Sequence, residues 1–270
     1  MKMSISNIAW DEHEELEVFS LMDQYGFNGI EIAPTKIWSN PTVENPDILV
    51  SYKNKLKKYG KNIVALQSLL YGTEGLNIFG NVEVKKSTFE YLKKIIFIGG
   101  QLGAKALVFG SPNNRKRGTI PINTAIEIAA KFFCELGDVA KLNNTNFCIE
   151  PNPPSYNCDF IQNVTDAINF LKIVDHPNVQ LNLDIGVMTI NEEEYEKFID
   201  LAFNYIAHIH ISEPGLAVIG KSGTNHKKIA EHLKNIGYDK WISIEMRNGF
   251  TNPNTLSVEY ALRFVENIYS

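Results

Sequence analysis

Short apolar runs alternate with longer amphipathic ones along the whole chain, and this alternation predicts the fold. The apolar runs read as strands at Lys2–Ile8, Gly29–Ile32, Asn62–Gln67, Lys105–Phe109, Asn146–Glu150, Val179–Asp184, Ile206–Ile211 and Trp241–Met246. Between them, apolar positions at helical spacing predict a helix capped by Asp11 and stopped by Gly26. Further helices follow over Pro46–Tyr59, Glu83–Gln101, Ile122–Leu142, Thr165–Ile173, Asn191–Phe203, Asn225–Asn235 and Thr255–Ile268. Eight strands each followed by a helix predict a parallel sheet that closes into a single-domain (β/α)8 TIM barrel over residues 1–270. An open doubly wound sheet would need a glycine-rich turn after the first strand, and Ser6-Asn7-Ile8-Ala9-Trp10 is not one.

Four strands share a second feature: each runs into a polar residue of metal-binding type and then a loop. They read F-C-I-E-P-N at Glu150, L-N-L-D-I-G at Asp184, H-I-H-I-S-E-P at His210 and I-S-I-E-M-R at Glu245. On the seventh strand, the period of two points Ala207, Ile209 and Ile211 one way and His208 and His210 the other. In this barrel type the C-terminal strand ends face a common mouth, so Glu150, Asp184, His210 and Glu245 are expected as neighbours there. Two carboxylates at about 4 Å with an effective dielectric near 20 repel by roughly 4 kcal/mol, a cost that one divalent cation removes. Three carboxylates and an imidazole suit Mn²⁺, Mg²⁺, Co²⁺ or Zn²⁺. His208, one layer deeper, is expected to be a hydrogen-bonded core residue or a support for the ligands.

Composition narrows the partners. A net charge of −5 and a pI near 5.7 argue against nucleic acid as the main partner, and the compact basic cluster is Asn114-Arg115-Lys116-Arg117. Three cysteines, Cys134, Cys148 and Cys158, lack metal-knuckle spacing and read as reduced thiols of a cytoplasmic protein. The first residues form no basic-then-apolar leader, and no apolar run approaches about 18 residues, so neither secretion nor a membrane span is expected. The Gly-punctuated loop Leu69–Asn81 is long enough to suggest a functional role.

The four motifs in that order resemble the xylose-isomerase-like TIM barrels, and among them the sugar phosphate isomerase/epimerase group that includes the ketose 3-epimerases. The resemblance spans the chain from Ser6-Asn7-Ile8-Ala9-Trp10 to the last helix. It implies one divalent metal on Glu150, Asp184, His210 and Glu245, a sugar or sugar phosphate as substrate, and Glu150 and Glu245 as the acid/base pair. That chemistry also fits the residue types. A Lewis acid polarises the carbonyl, and a carboxylate removes or returns the proton on the adjacent carbon through an enediolate. Such relatives carry a substrate-touching His three residues after the aspartate and an Arg six after the histidine, and here Val187 and Leu216 stand in those places. Lys221 and His226 are candidate replacements, Arg115 is a candidate for a substrate phosphate or carboxylate, and Gln67, Trp10, Trp38 and Asn152 suit the pocket wall; core packing suits both tryptophans equally. A metal-dependent dehydratase acting on a related polyol (inosose-type), an endonuclease of the same superfamily and a non-catalytic sugar binder are the alternatives. A homodimer is compatible with any of them.

Overall fold

The computed structural model describes residues 1–43 and 45–270. Eight parallel strands close into a barrel in chain order, with β8 pairing back onto β1. The strands are β1 Lys2–Ser6, β2 Gly29–Ile32, β3 Asn62–Leu66, β4 Ala106–Phe109, β5 Asn146–Ile149, β6 Val179–Asp184, β7 Ile206–Ser212 and β8 Trp241–Glu245. The helices are α1 Glu15–Gln24, α2 Pro46–Lys58, α3 Val82–Leu102, α4 Ile122–Leu142, α5 Val164–Val174, α6 Ile185–Ile190, α7 Tyr195–Ala202, α8 His226–Asn235 and α9 Thr255–Tyr269. The eight-strand expectation therefore holds, with ends displaced by one or two residues.

Helix starts follow local chemistry. Asn45, Asn81, Asn163 and Asn225 each accept a hydrogen bond from a backbone N–H in the first turn of the helix that follows. One helix differs from expectation. The span Asn191–Phe203 turns helical only at Tyr195, and a short helix ahead of it, α6, begins directly after β6 because the Asp184 side chain accepts from Val187 N at 2.6 Å. Asn191 closes α6, Glu192 takes φ +54°, and α7 starts only at Tyr195. The acids at 192–194 thus form a turn between two helices and not a first helical turn.

Strand β7 also departs from strict alternation. Leu181 pairs with Ile206 and Asn182 with His208, so Ala207 is an extra residue, a β-bulge. Ile206, Ile209 and Ile211 pack outward in the main core, while Ala207 joins Val64, Ala65, Ala106 and Cys148 among small side chains inside the barrel. The expectation that Ala207 shares a face with Ile209 is corrected by this bulge. His208 and His210 do point inward together.

Candidate active site

The mouth of the barrel brings the four motif residues to one point. His210 Nδ1 lies 3.0 Å from Glu150 Oε1, 3.1 Å from Glu245 Oε2 and 3.7 Å from Asp184 Oδ2. One donor atom from each of the four falls within 4.8 Å of all the others. Donors bound at about 2.0–2.2 Å to one ion stand roughly 3–3.5 Å apart, so the spacing fits a single divalent cation. Asp184 is divided between two tasks. Its Oδ1 accepts from Val187 N and, at 2.8 Å, from Ser212 Oγ, which leaves Oδ2 turned toward the cluster.

The electrostatics point the same way. Burial raises the Glu245 carboxyl, attraction to His210 opposes it, and repulsion from Glu150 and Asp184 adds to it, leaving the group pushed up to about 8. Burial works against a charged His210, yet the surrounding carboxylates, Glu245 and Glu31 foremost, push it well above the ordinary imidazole range. A set of acids this close to one imidazole needs a positive charge at its centre, whether a proton or a metal ion.

Two further polar residues touch the cluster. Asn182 Nδ2 donates to Glu150 Oε1 at 2.6 Å and lies 3.1 Å from His210 Nδ1. Glu31, fully buried on β2, places Oε1 3.0 Å from His210 Nε2 and 3.5 Å from His208 Nε2. Neither is among the candidate residues that the sequence pattern gives. The signal for Glu31 was a lone acid inside the apolar strand G-I-E-I, the same pattern that marked the motif residues. Because 179 positions separate it from His210, only the closed barrel makes them neighbours.

Beside the cluster lies a cavity of 200 Å³, lined by Gln67, Ser68, Leu70, Tyr71, Val108, Gly110, Ser111, Glu150, His210 and Glu245. It is smaller than the roughly 300–1,000 Å³ of pockets for drug-sized ligands and suits a molecule of monosaccharide size. A larger depression of 910 Å³ runs along α2, but its wall of Lys55, Lys57, Lys58 and neighbouring surface residues carries no convergent buried donors. Gln67 takes its expected place, held by Ser6 Oγ at 2.7 Å, and the loop after β3 supplies Leu70 and Tyr71.

The other expected wall residues stand elsewhere. Arg115 is wholly buried and donates to the carbonyls of Phe109 (3.2 Å) and Glu150 (2.6 Å). Its charge is spent on joining the ends of β4 and β5, so it does not meet a substrate anion. Asn152 braces the site from behind, donating to Gly110 O at 2.8 Å and lying 3.4 Å from Glu150 Oε2. Trp10 and Trp38 belong to the hydrophobic core. Lys221 turns outward and sits 4.2 Å over the Tyr260 ring on α9. His226 is buried between Tyr269 Oη (2.9 Å) and Glu213 Oε1 (3.2 Å), which makes it a loop anchor. Neither Lys221 nor His226 replaces the absent histidine and arginine. Val187 offers its backbone N–H to Asp184, and the Leu216 carbonyl accepts from Arg247 N at 3.0 Å.

The chain resembles known proteins both in sequence and in fold. A 126-residue stretch is 31% identical to a D-psicose 3-epimerase from Ruminiclostridium cellulolyticum, covering 46% of this chain and 43% of that enzyme's length. Among solved structures, the D-psicose 3-epimerase of Clostridium cellulolyticum H10, solved with D-tagatose, superposes over 100% of both chains with a TM-score of 0.81 at 18% identity. A 3-keto-D-glucoside 4-epimerase from E. coli does so over 99% of both chains, again with a TM-score of 0.81 at 18% identity. Likeness at that identity shows the shared barrel. Residues 19–268, most of the chain, match one family, and the chain belongs to the xylose isomerase-like TIM barrel family.

Proposed function

We propose that this protein is a metal-dependent isomerase or epimerase of a sugar or sugar phosphate, working by proton transfer at the carbon beside a carbonyl. One observation carries the reading: Glu150, Asp184, His210 and Glu245 converge within 4.8 Å beside a cavity of monosaccharide size. When bound there, a divalent ion such as Mn²⁺, Mg²⁺, Co²⁺ or Zn²⁺ polarises the substrate carbonyl and lowers the energy of the enediolate. Glu150 and Glu245 each keep a carboxylate at the cavity wall, where one removes the proton and the other returns it. Asn182 and Asn152 hold Glu150 in place, and Gln67 and Ser68 offer hydrogen bonds to substrate hydroxyls. The curated relative is a ketose epimerase, which favours a ketose or a keto-sugar as substrate.

The distribution of histidines favours one ion over the several of a nuclease site. His176 pairs with Asp138, His232 with Asp200 and His226 with Glu213, and none of the three joins a group of candidate ligands. Uptake of solvent deuterium tests the mechanism. With Mn²⁺ and a panel of ketoses, keto-glycosides and their phosphates, the protein exchanges the proton beside the carbonyl, and Glu245→Gln abolishes that exchange. Full deuterium wash-in by the variant overturns the two-carboxylate scheme. Loss of water from the product marks a dehydratase instead.

A further inference from the structure

We infer that Glu31 is a positioning residue that fixes which nitrogen of His210 faces the metal site, an inference that rests on the metal-dependent reading above. A neutral imidazole has one nitrogen that donates and one that accepts, and the bond made by the first decides which is free to bind a metal. His210 Nε2 meets Glu31 Oε1 at 3.0 Å, and an ionised carboxylate only accepts. The Nε2–H therefore points at Glu31, and the Nδ1 lone pair points at Glu150, Asp184 and Glu245.

Three features of the surroundings single out this contact. Glu31 is 0% exposed, and its contact with His210 is its one hydrogen bond among the described residues; Oε2 and the nearby His208 Nε2 have no partner. His208 Nε2 stands 3.5 Å from the same Glu31 Oε1, so both imidazoles face this one oxygen. His208 meets the His210 ring edge-on, with centroids 5.4 Å apart and planes at 84°. Glu31 thus sets the tautomer while His208 fixes the ring plane.

Glu31, His208 and His210 also present donors within 4.8 Å of one another, the spacing of a second metal site. Filling it would take Nε2 of His210 away from Glu31 and leave one imidazole to bridge two ions, so a single ion per chain is expected.

Mn²⁺ affinity of the metal-stripped full chain, titrated in competition with a chelator, tests the role. Glu31→Gln weakens Mn²⁺ binding about 10–100-fold and shrinks the rise in melting temperature that Mn²⁺ gives, whereas a merely structural residue would lower both melting temperatures equally. Glu31→Asp recovers part of the affinity. Unchanged affinity in a folded Glu31→Gln variant overturns the inference while leaving the metal site standing, and a wild-type chain that binds no Mn²⁺ overturns the metal-dependent reading itself. Two ions per wild-type chain, one of them lost in the variant, replace the positioning role with a second site. If the variant does not fold, ¹⁵N spectra of the Zn²⁺-loaded wild type decide: a protonated Nε2 and a metal-bound Nδ1 are expected on His210, and the reverse overturns the inference.

Discussion

Gly110 governs how closely the chain leaving β4 approaches Glu150. A Cβ at this position would fall 2.1 Å from Glu150 Oε2, and the other Glu150 oxygen is already held by Asn182 at 2.6 Å. Gly110→Ala therefore swings the carboxylate away from the cluster, and we expect Mn²⁺ affinity to fall about tenfold with the far-ultraviolet circular dichroism unchanged. Affinity equal to wild type would mean that Glu150 has slack the distances do not show. Single residues were unevenly legible in the sequence. The four candidate ligands were readable because each is a polar break at the end of an apolar run. Gly110 was visible only as a member of G-S-P-N-N-R and Arg115 was read there as an anion contact, because the role of each depends on a neighbour more than 30 positions away.

At the scale of elements, the loop between β7 and α8 is built around Glu213. Its carboxylate accepts from Thr224 Oγ1 (2.6 Å) and Gly220 N (2.8 Å) and pairs with His226 (3.2 Å). Burial raises this carboxyl, but the bonds from His226 and Thr224 outweigh that effect and lower it below the ordinary 4.5. A depressed acid contributes stability that is present above the unfolded value and lost as the pH falls below it. Glu213→Gln should thus cost about 1–3 kcal/mol at neutral pH and make the loss of stability below about pH 4.5 shallower, as urea melts across that range would record. Equal melts for variant and wild type would show that the loop does not need the clamp. Helix existence was legible from apolar spacing. The division between α6 and α7 was not, because the Asp184 cap that starts α6 belongs to a residue already spoken for as a strand end.

For the whole molecule, closure depends on what fills the barrel. At its N-terminal end the Trp241 ring lies over Gly29, where a Cβ would come within 2.5 Å of the indole and 2.6 Å of Ser4 Cβ. Ala65, Ala106 and Cys148 are small for the same reason, leaving room inward for the indole and the two histidines. Gly29→Ala should lower stability by about 1–3 kcal/mol through overpacking, read as a lower denaturation midpoint. Its Mn²⁺ affinity should stay unchanged, since the cluster lies at the opposite end. A shift in affinity without a shift in stability would contradict this separation of the two ends.

The sequence by itself determined the order of strands and helices, the closure of eight units and the four residues that meet at the mouth. Each of these is written locally, as a period of two or 3.6 and as a polar residue ending an apolar run. Only the tertiary structure decided which of the remaining polar residues reach the site. Glu31 entered it from across the barrel, while Arg115, Lys221 and His226 turned to backbone carbonyls, an aromatic ring and a loop clamp. A side chain's partner is set by the distances that closure creates, and those distances join residues far apart along the chain.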